Sequence, residues 1–102
     1  MNNNTMYCKR IAEELNELAT ADNLDELYDY INEALDFEFR VDLQRNYRSA
    51  RIAITLGGPN VFIDTKSGCV ELYWGTSQAD WPLSQDAADV IDNILREFYG
   101  CY

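Results

Sequence analysis

Apolar positions recur at three- and four-residue spacing from the start of the chain. Cys8, Ile11, Leu15 and Leu18, with Ala12 and Ala19 beside them, mark one face of a helix over residues 5–19; Glu13, Glu14 and Glu17 fall elsewhere on the wheel. After a break at 20–22, Asn23 stands where a cap is expected, and Glu26 three residues on completes a capping box. The second helix turns Leu24, Leu27, Tyr28, Ile31, Ala34 and Leu35 to one face. So short a connection makes the pair a helical hairpin.

From Asp36 the period changes to two. Phe37, Phe39, Val41 and Leu43 alternate with Glu38, Arg40 and Asp42, the pattern of a half-buried strand. Residues 44–50 read as a polar connection. Ile52, Ile54 and Leu56 then alternate with Arg51, Ala53 and Thr55 in a second strand. Gly57-Gly58-Pro59-Asn60 is a turn, because glycine supplies positive φ and proline is barred from a central ladder. Residues 61–65 form the third strand, and Lys66-Ser67-Gly68 a tight bulged hairpin. The fourth strand, 69–74, sets Val70, Leu72 and Trp74 against Glu71 and Tyr73. Residues 75–83 read as irregular, with room for a short edge strand around 79–81. Ser84 is placed to cap the last helix, with Asp86 near its positive end. Ala87, Val90, Ile91, Ile94, Leu95 and Phe98 form its inward stripe, and Gly100 stops it. Strands with one apolar face take helices on that face. The predicted fold is therefore α+β: a two-layer sandwich with an N-terminal helical hairpin, a four-stranded antiparallel meander and a C-terminal helix.

Length changes little in this picture: 102 residues make one domain, 1–102, able to bury a core. Charge changes more. The chain carries 18 acidic and 8 basic residues, a net charge of −10. That balance disfavours direct contact with a nucleic-acid backbone or an anionic membrane and favours a basic protein partner. The polar start lacks a signal peptide's apolar segment, and no apolar run reaches the roughly 20 residues that span a bilayer. A cytoplasmic location is expected. Cys8, Cys69 and Cys101 are scattered, and the chain has no histidine, so no zinc spacing arises. They read as reduced packing cysteines, with Cys101 near the end open to adventitious disulfides.

The acids are not evenly spread. Between Ile11 and Phe39 stand Glu13, Glu14, Glu17, Asp22, Asp25, Glu26, Asp29, Glu33, Asp36 and Glu38, with no lysine or arginine among them. Ordinary surface helices interleave signs, since opposite charges four apart stabilise and like charges destabilise. Lys9 and Arg10 sit near the start of the first helix and Glu33 and Asp36 at the end of the second, the unfavourable ends for each sign. One reading is the solvated face of an acidic protein; the other is a surface for a cationic partner built from Glu13, Glu14, Glu17, Asp25, Glu26, Asp29 and Glu33.

Two further groups carry weaker chemistry. Arg40, Arg45, Arg48 and Arg51 surround Tyr47, as a nucleic-acid site would, but on so acidic a chain they are expected to pair with the acidic helices. The 57–60 turn with aromatics nearby suggests a small-ligand or nucleotide pocket formed by Asn60, Tyr73 and Trp81 at a homodimer interface. A plain hairpin turn with packed tryptophans is the simpler account, and Trp81-Pro82 on a loop could instead anchor a partner. Without histidine, and with no serine, cysteine or lysine beside a recognisable base, the chain is read as a non-enzyme with no metal or cofactor.

The block Ile54-Thr55-Leu56-Gly57-Gly58-Pro59-Asn60-Val61-Phe62-Ile63-Asp64-Thr65, followed by Val70-Glu71-Leu72-Tyr73-Trp74, resembles small accessory proteins of phages and integrative elements. Proteins of that size, charge and setting are similar to anti-CRISPR and antirestriction inhibitors. The resemblance covers about half the chain and implies a phage-encoded inhibitor that occupies the basic nucleic-acid groove of a CRISPR effector or another defence nuclease. It carries over no catalytic residue. A nucleotide-sequestering protein and an antitoxin-like acidic domain are the alternatives.

Overall fold

The computed structural model describes residues 2–101. Helix α1 (Asn3–Leu18) begins two residues before the predicted start at residue 5, because Asn2 caps it: its side-chain oxygen accepts from the Thr5 N–H at 2.8 Å. A 3₁₀ turn, Ala21–Asn23, leads into α2 (Leu24–Asn32). Asn23 precedes α2, but the expected capping box does not form. Its amide instead donates back to the Glu17 carbonyl and the Thr20 hydroxyl, fastening the joint of the hairpin. The second helix stops before Leu35, since the Leu35 N–H is already donated to the Ala53 carbonyl at 2.8 Å. Leu35 is therefore 61% exposed and does not belong to the inward face that periodicity gave it.

Strands β1 (Asp36–Val41), β2 (Tyr47–Thr55), β3 (Asn60–Asp64), β4 (Cys69–Trp74) and β5 (Ser77–Pro82) lie in one antiparallel sheet in chain order, and α3 (Gln85–Gly100) follows. The α+β sandwich predicted above is the observed fold, with one strand more: β5 pairs with β4 along its whole length, from Trp74–Ser77 to Cys69–Pro82. A second difference lies between β1 and β2. Asp42 accepts from the Gln44 and Asn46 N–H groups, and Arg45 adopts a φ of +66°, so the chain reverses early. β2 thus starts at Tyr47, inside the expected polar connection, and Leu43 sits in the turn, 97% exposed.

Cross-strand register sorts the side chains. Phe37, Ile52, Ile63, Val70 and Trp81 form one row across the sheet, on the side where the helices pack. The helices meet it with Cys8, Ala12 and Leu15 of α1, Leu27 and Ile31 of α2, and Ala87, Ile91, Ile94 and Leu95 of α3. Ser84 caps α3 as expected, accepting from the Ala87 N–H at 3.1 Å, but the helix runs through Gly100. Its last turns complete the core at the β1 edge: Phe98 lies against Tyr28 and Phe37, and Tyr99 against Phe39 and Tyr47. The opposite sheet face carries Arg51, Phe62, Asp64, Glu71 and Tyr73 and no helix. No helix among the described residues is long and apolar enough to cross a membrane.

Candidate functional site

The acidic surface follows from the helical wheel. Cys8, Ala12 and Leu15 fix the inward line of α1, so the 100° step per residue carries Glu13, Glu14 and Glu17 to its outer half. Leu27 and Ile31 do the same for α2, leaving Asp25, Glu26 and Asp29 outside, with Glu33 as its C-cap. All seven are exposed. Both helices bury residues in the same core, so the seven carboxylates share the solvent side of one layer. Tyr30 lies in that neighbourhood. Burial, then the charges of Glu14 and Tyr7, push its phenol up to about 12.

Little neutralises these acids. Among the described residues the Lys9–Glu13 pair, at 3.8 Å, is the one ion pair that reaches any of the seven. Lys9 precedes its acid, the weaker order for an i, i+4 pair. One sequence argument fails here: α1 starts at Asn3, so Lys9 and Arg10 lie beyond the first turn, where the helix dipole has faded. The complementary argument holds, since α1, α2 and α3 carry no basic residue in their last turns.

The arginines do not pair with the acidic helices, as expected from the sequence, but with the sheet. Arg40 forms a two-pronged contact with Asp64, 2.8 and 2.7 Å, and donates to the Ser49 hydroxyl. Its Nε lies 3.9 Å from Glu38. Arg51 lies 3.6 Å from Glu71 and 3.7 Å from the centre of the Phe62 ring. The cause is register: Arg51 stands opposite both Glu38 and Asp64, and Phe62 opposite Glu71, so the open sheet face finds its counter-charges within itself. Burial pushes the Asp64 carboxyl up, but the hydrogen bonds from Arg40 and the Lys66 N–H, with the Arg40 charge, bring it below its ordinary value. Arg45 offers its carbonyl to the Tyr99 hydroxyl, and Arg48 is exposed.

The proposed pocket of Asn60, Tyr73 and Trp81 is not assembled. Asn60 and Tyr73 are cross-strand neighbours, but Trp81 pairs with Val70 and therefore faces the helices, whereas Tyr73 faces the open side. Trp81 packs on the core under Lys9, on a strand and not on a loop, while Tyr73 meets Phe62 edge-on. Asn60 closes its own turn, accepting from the Gly57 N–H at 2.9 Å. Gly57 and Gly58, at φ +97° and +125°, give that turn a backbone that side-chain-bearing residues rarely adopt.

A groove of about 980 Å³, unforeseen in the sequence, opens beside this turn. Pro59 and Trp74 form one wall and Met6, Tyr7 and Arg10 the other, with Met6 and Trp74 each 55% exposed. A tryptophan at the last position of a strand, just before Gly75, is the signal that could have pointed to it. Elsewhere, Cys8 is buried and Cys69 partly so, and burial, then Asp80, raises both thiols. Such thiols stay protonated and behave as packing groups. Cys101 is free and exposed. No cluster of metal-ligating side chains occurs among the described residues. Comparison with known proteins gives no match to a family model, a curated protein or a solved structure.

Proposed function

We propose that this chain is a binding protein whose acidic helical layer docks on the basic, nucleic-acid-binding surface of another protein. Its biological setting, on this proposal, is a phage-encoded inhibitor of a bacterial defence nuclease. The observation that carries the reading is the unneutralised state of the α1–α2 surface. Glu13, Glu14, Glu17, Asp25, Glu26, Asp29 and Glu33 are exposed together, while Arg40 and Arg51 are committed to acids of the sheet. A surface of this sign attracts a positively charged groove over a Debye length of about 8 Å and raises the rate of encounter. The anti-defence assignment rests on the strand–turn–strand resemblance at 54–65 and 70–74 together with this charge. The small-ligand alternative loses its stated pocket, because Trp81 and Tyr73 lie on opposite faces.

The test is capture from bacterial extract on the immobilised chain at low and high salt, with nucleic acid as competitor. A nucleic-acid enzyme should be retained at low salt and displaced by its substrate. The variant E14K/E17K/D25K/D29K alters four exposed positions and should still fold, yet associate at least about tenfold more slowly. Equal capture by that variant, or capture that nucleic acid does not displace, rules the acidic layer out.

A further inference from the structure

The helix-covered side of β4 outlasts its cover. Val70, Leu72 and Trp74 share that side by strand alternation, yet Val70 and Leu72 are buried and Trp74 is 55% exposed. Across the gap Met6, near the start of α1, is exposed to the same degree. The groove between them, about 980 Å³, is of the size that small ligands occupy. Its Trp74 wall is braced: a Cβ on Gly58 would lie 4.0 Å from Trp74 Cη2, so the indole rests against the turn that Asn60 closes. Charge in the groove runs against the rest of the chain. Lys9, Arg10 and a single acid, Glu13, line it, and Lys9 and Glu13 pair at 3.8 Å. Arg10 is exposed, lies 5.5 Å from the centre of the Tyr7 ring, and makes no ion pair among the described residues.

We propose that this groove binds a small aromatic carboxylate, its ring against Trp74 and Met6 and its carboxylate on Arg10. An exposed indole offers a face for offset stacking, and the thioether of Met6 adapts to a ring edge. The planar guanidinium donates two parallel hydrogen bonds to a carboxylate, a geometry an ammonium does not provide. One uncommitted cation balances one negative charge, and a net charge of −10 repels ligands that carry more. The site is separate from the unassembled set of Asn60, Tyr73 and Trp81. It also stands apart from the docking of the acidic layer, since E14K/E17K/D25K/D29K leaves every lining residue in place.

Nuclear magnetic resonance of the isotope-labelled chain, titrated with naphthoate and with indoleacetate, tests the proposal through the indole N–H signals of Trp74 and Trp81. The Trp74 signal is assigned by its loss in W74F. At least one of the two acids should shift it with a Kd below about 1 mM and leave the Trp81 signal in place. The uncharged amide of that acid should bind the natural chain at least about tenfold more weakly. R10M changes an exposed side chain, so it should keep its circular dichroism and bind acid and amide alike. No shift of the Trp74 signal by either acid up to about 5 mM overturns the proposal. So does an amide that binds as well as its acid, or a preference for the acid that survives in R10M. Tighter binding of adenosine monophosphate, whose phosphate carries more charge, overturns it as well.

Discussion

Replacing Asp64 with alanine removes the most enclosed charge of the open sheet face. Asp64 is 6% exposed, and its carboxylate accepts from both Arg40 Nη atoms at 2.8 and 2.7 Å and from the Lys66 N–H at 2.8 Å. Breaking a fully buried ion pair by deleting one partner costs about 3–5 kcal/mol, because the survivor keeps an uncompensated charge. Here the survivor can escape in part: the Arg40 side chain is 31% exposed and retains its bond to Ser49. D64A should therefore lose about 2–3 kcal/mol, which for a domain near 100 residues is roughly 10–20 °C in Tm.

The reciprocal variant separates geometry from charge. R40M strands a carboxylate that cannot turn to water as the guanidinium can, so its cost should be greater, about 3–4 kcal/mol. The joint variant R40M/D64A removes both charges and leaves neither partner stranded. It should cost less than the sum of the singles by at least about 1 kcal/mol. Urea unfolding of all four proteins, compared at equal m-values, gives the cycle. A D64A loss below about 0.5 kcal/mol, or singles that simply add, would refute the claim that this contact organises the sheet face.

Other expectations follow from single groups. Burial alone would raise the Asp64 carboxyl, but the bonds from Arg40 and the Lys66 N–H hold it below its ordinary value, so its contribution is complete above that ordinary value and lost as pH falls through the folded pKa. The natural chain should therefore lose more stability than D64N on titration from about pH 5 to pH 2, and parallel curves would contradict the assignment. N60A deletes the acceptor for the Gly57 N–H and should cost about 0.5–1.5 kcal/mol, with faster hydrogen exchange at Gly57; an unchanged rate there would show that the turn holds without it.

Periodicity made most of the fold legible because burial decides most of these elements. Leu15, Leu27, Ile52, Leu72 and Ile91 sit where the 3.6- and two-residue patterns put them, all in the core. The errors fall where polar residues decide instead. β5, Ser77–Pro82, shows water a polar side and only Ala79 and Trp81 to the core, so the apolar signal marks no more than a short edge strand around 79–81 and misses its full length. Tyr47–Ala50 was hidden because the reversal depends on Asp42 side-chain bonds to the backbone, not on glycine or proline. At the candidate site, exposure of the α1 and α2 acids was readable from the wheel. The destination of the arginines was not, since Arg40 meets Asp64 and Arg51 meets Glu71 only through a register between strands that sequence spacing leaves open.

The two layers of the fold treat charge differently. The open sheet face opposes Arg40 to Asp64 and Arg51 to Glu71, and seats Arg51 on Phe62. The helical layer forgoes the same economy. A lysine in the last turn of a helix contributes about 0.3–1 kcal/mol, yet α1, α2 and α3 have none, and α2 ends on Glu33. An exposed i, i+4 pair adds about 0.3–0.5 kcal/mol, yet the α1–α2 carboxylates share one, in its weaker order. Solubility requires net charge but not its segregation, and acids interspersed over both layers would serve it as well. Stability would favour the missing cations. Neither pressure accounts for a molecule that balances its sheet and leaves seven exposed acids of α1 and α2 with one ion pair among the described residues. The cationic partner proposed for the helical layer would, because each lysine that strengthens a helix end would also weaken the field that such a partner meets.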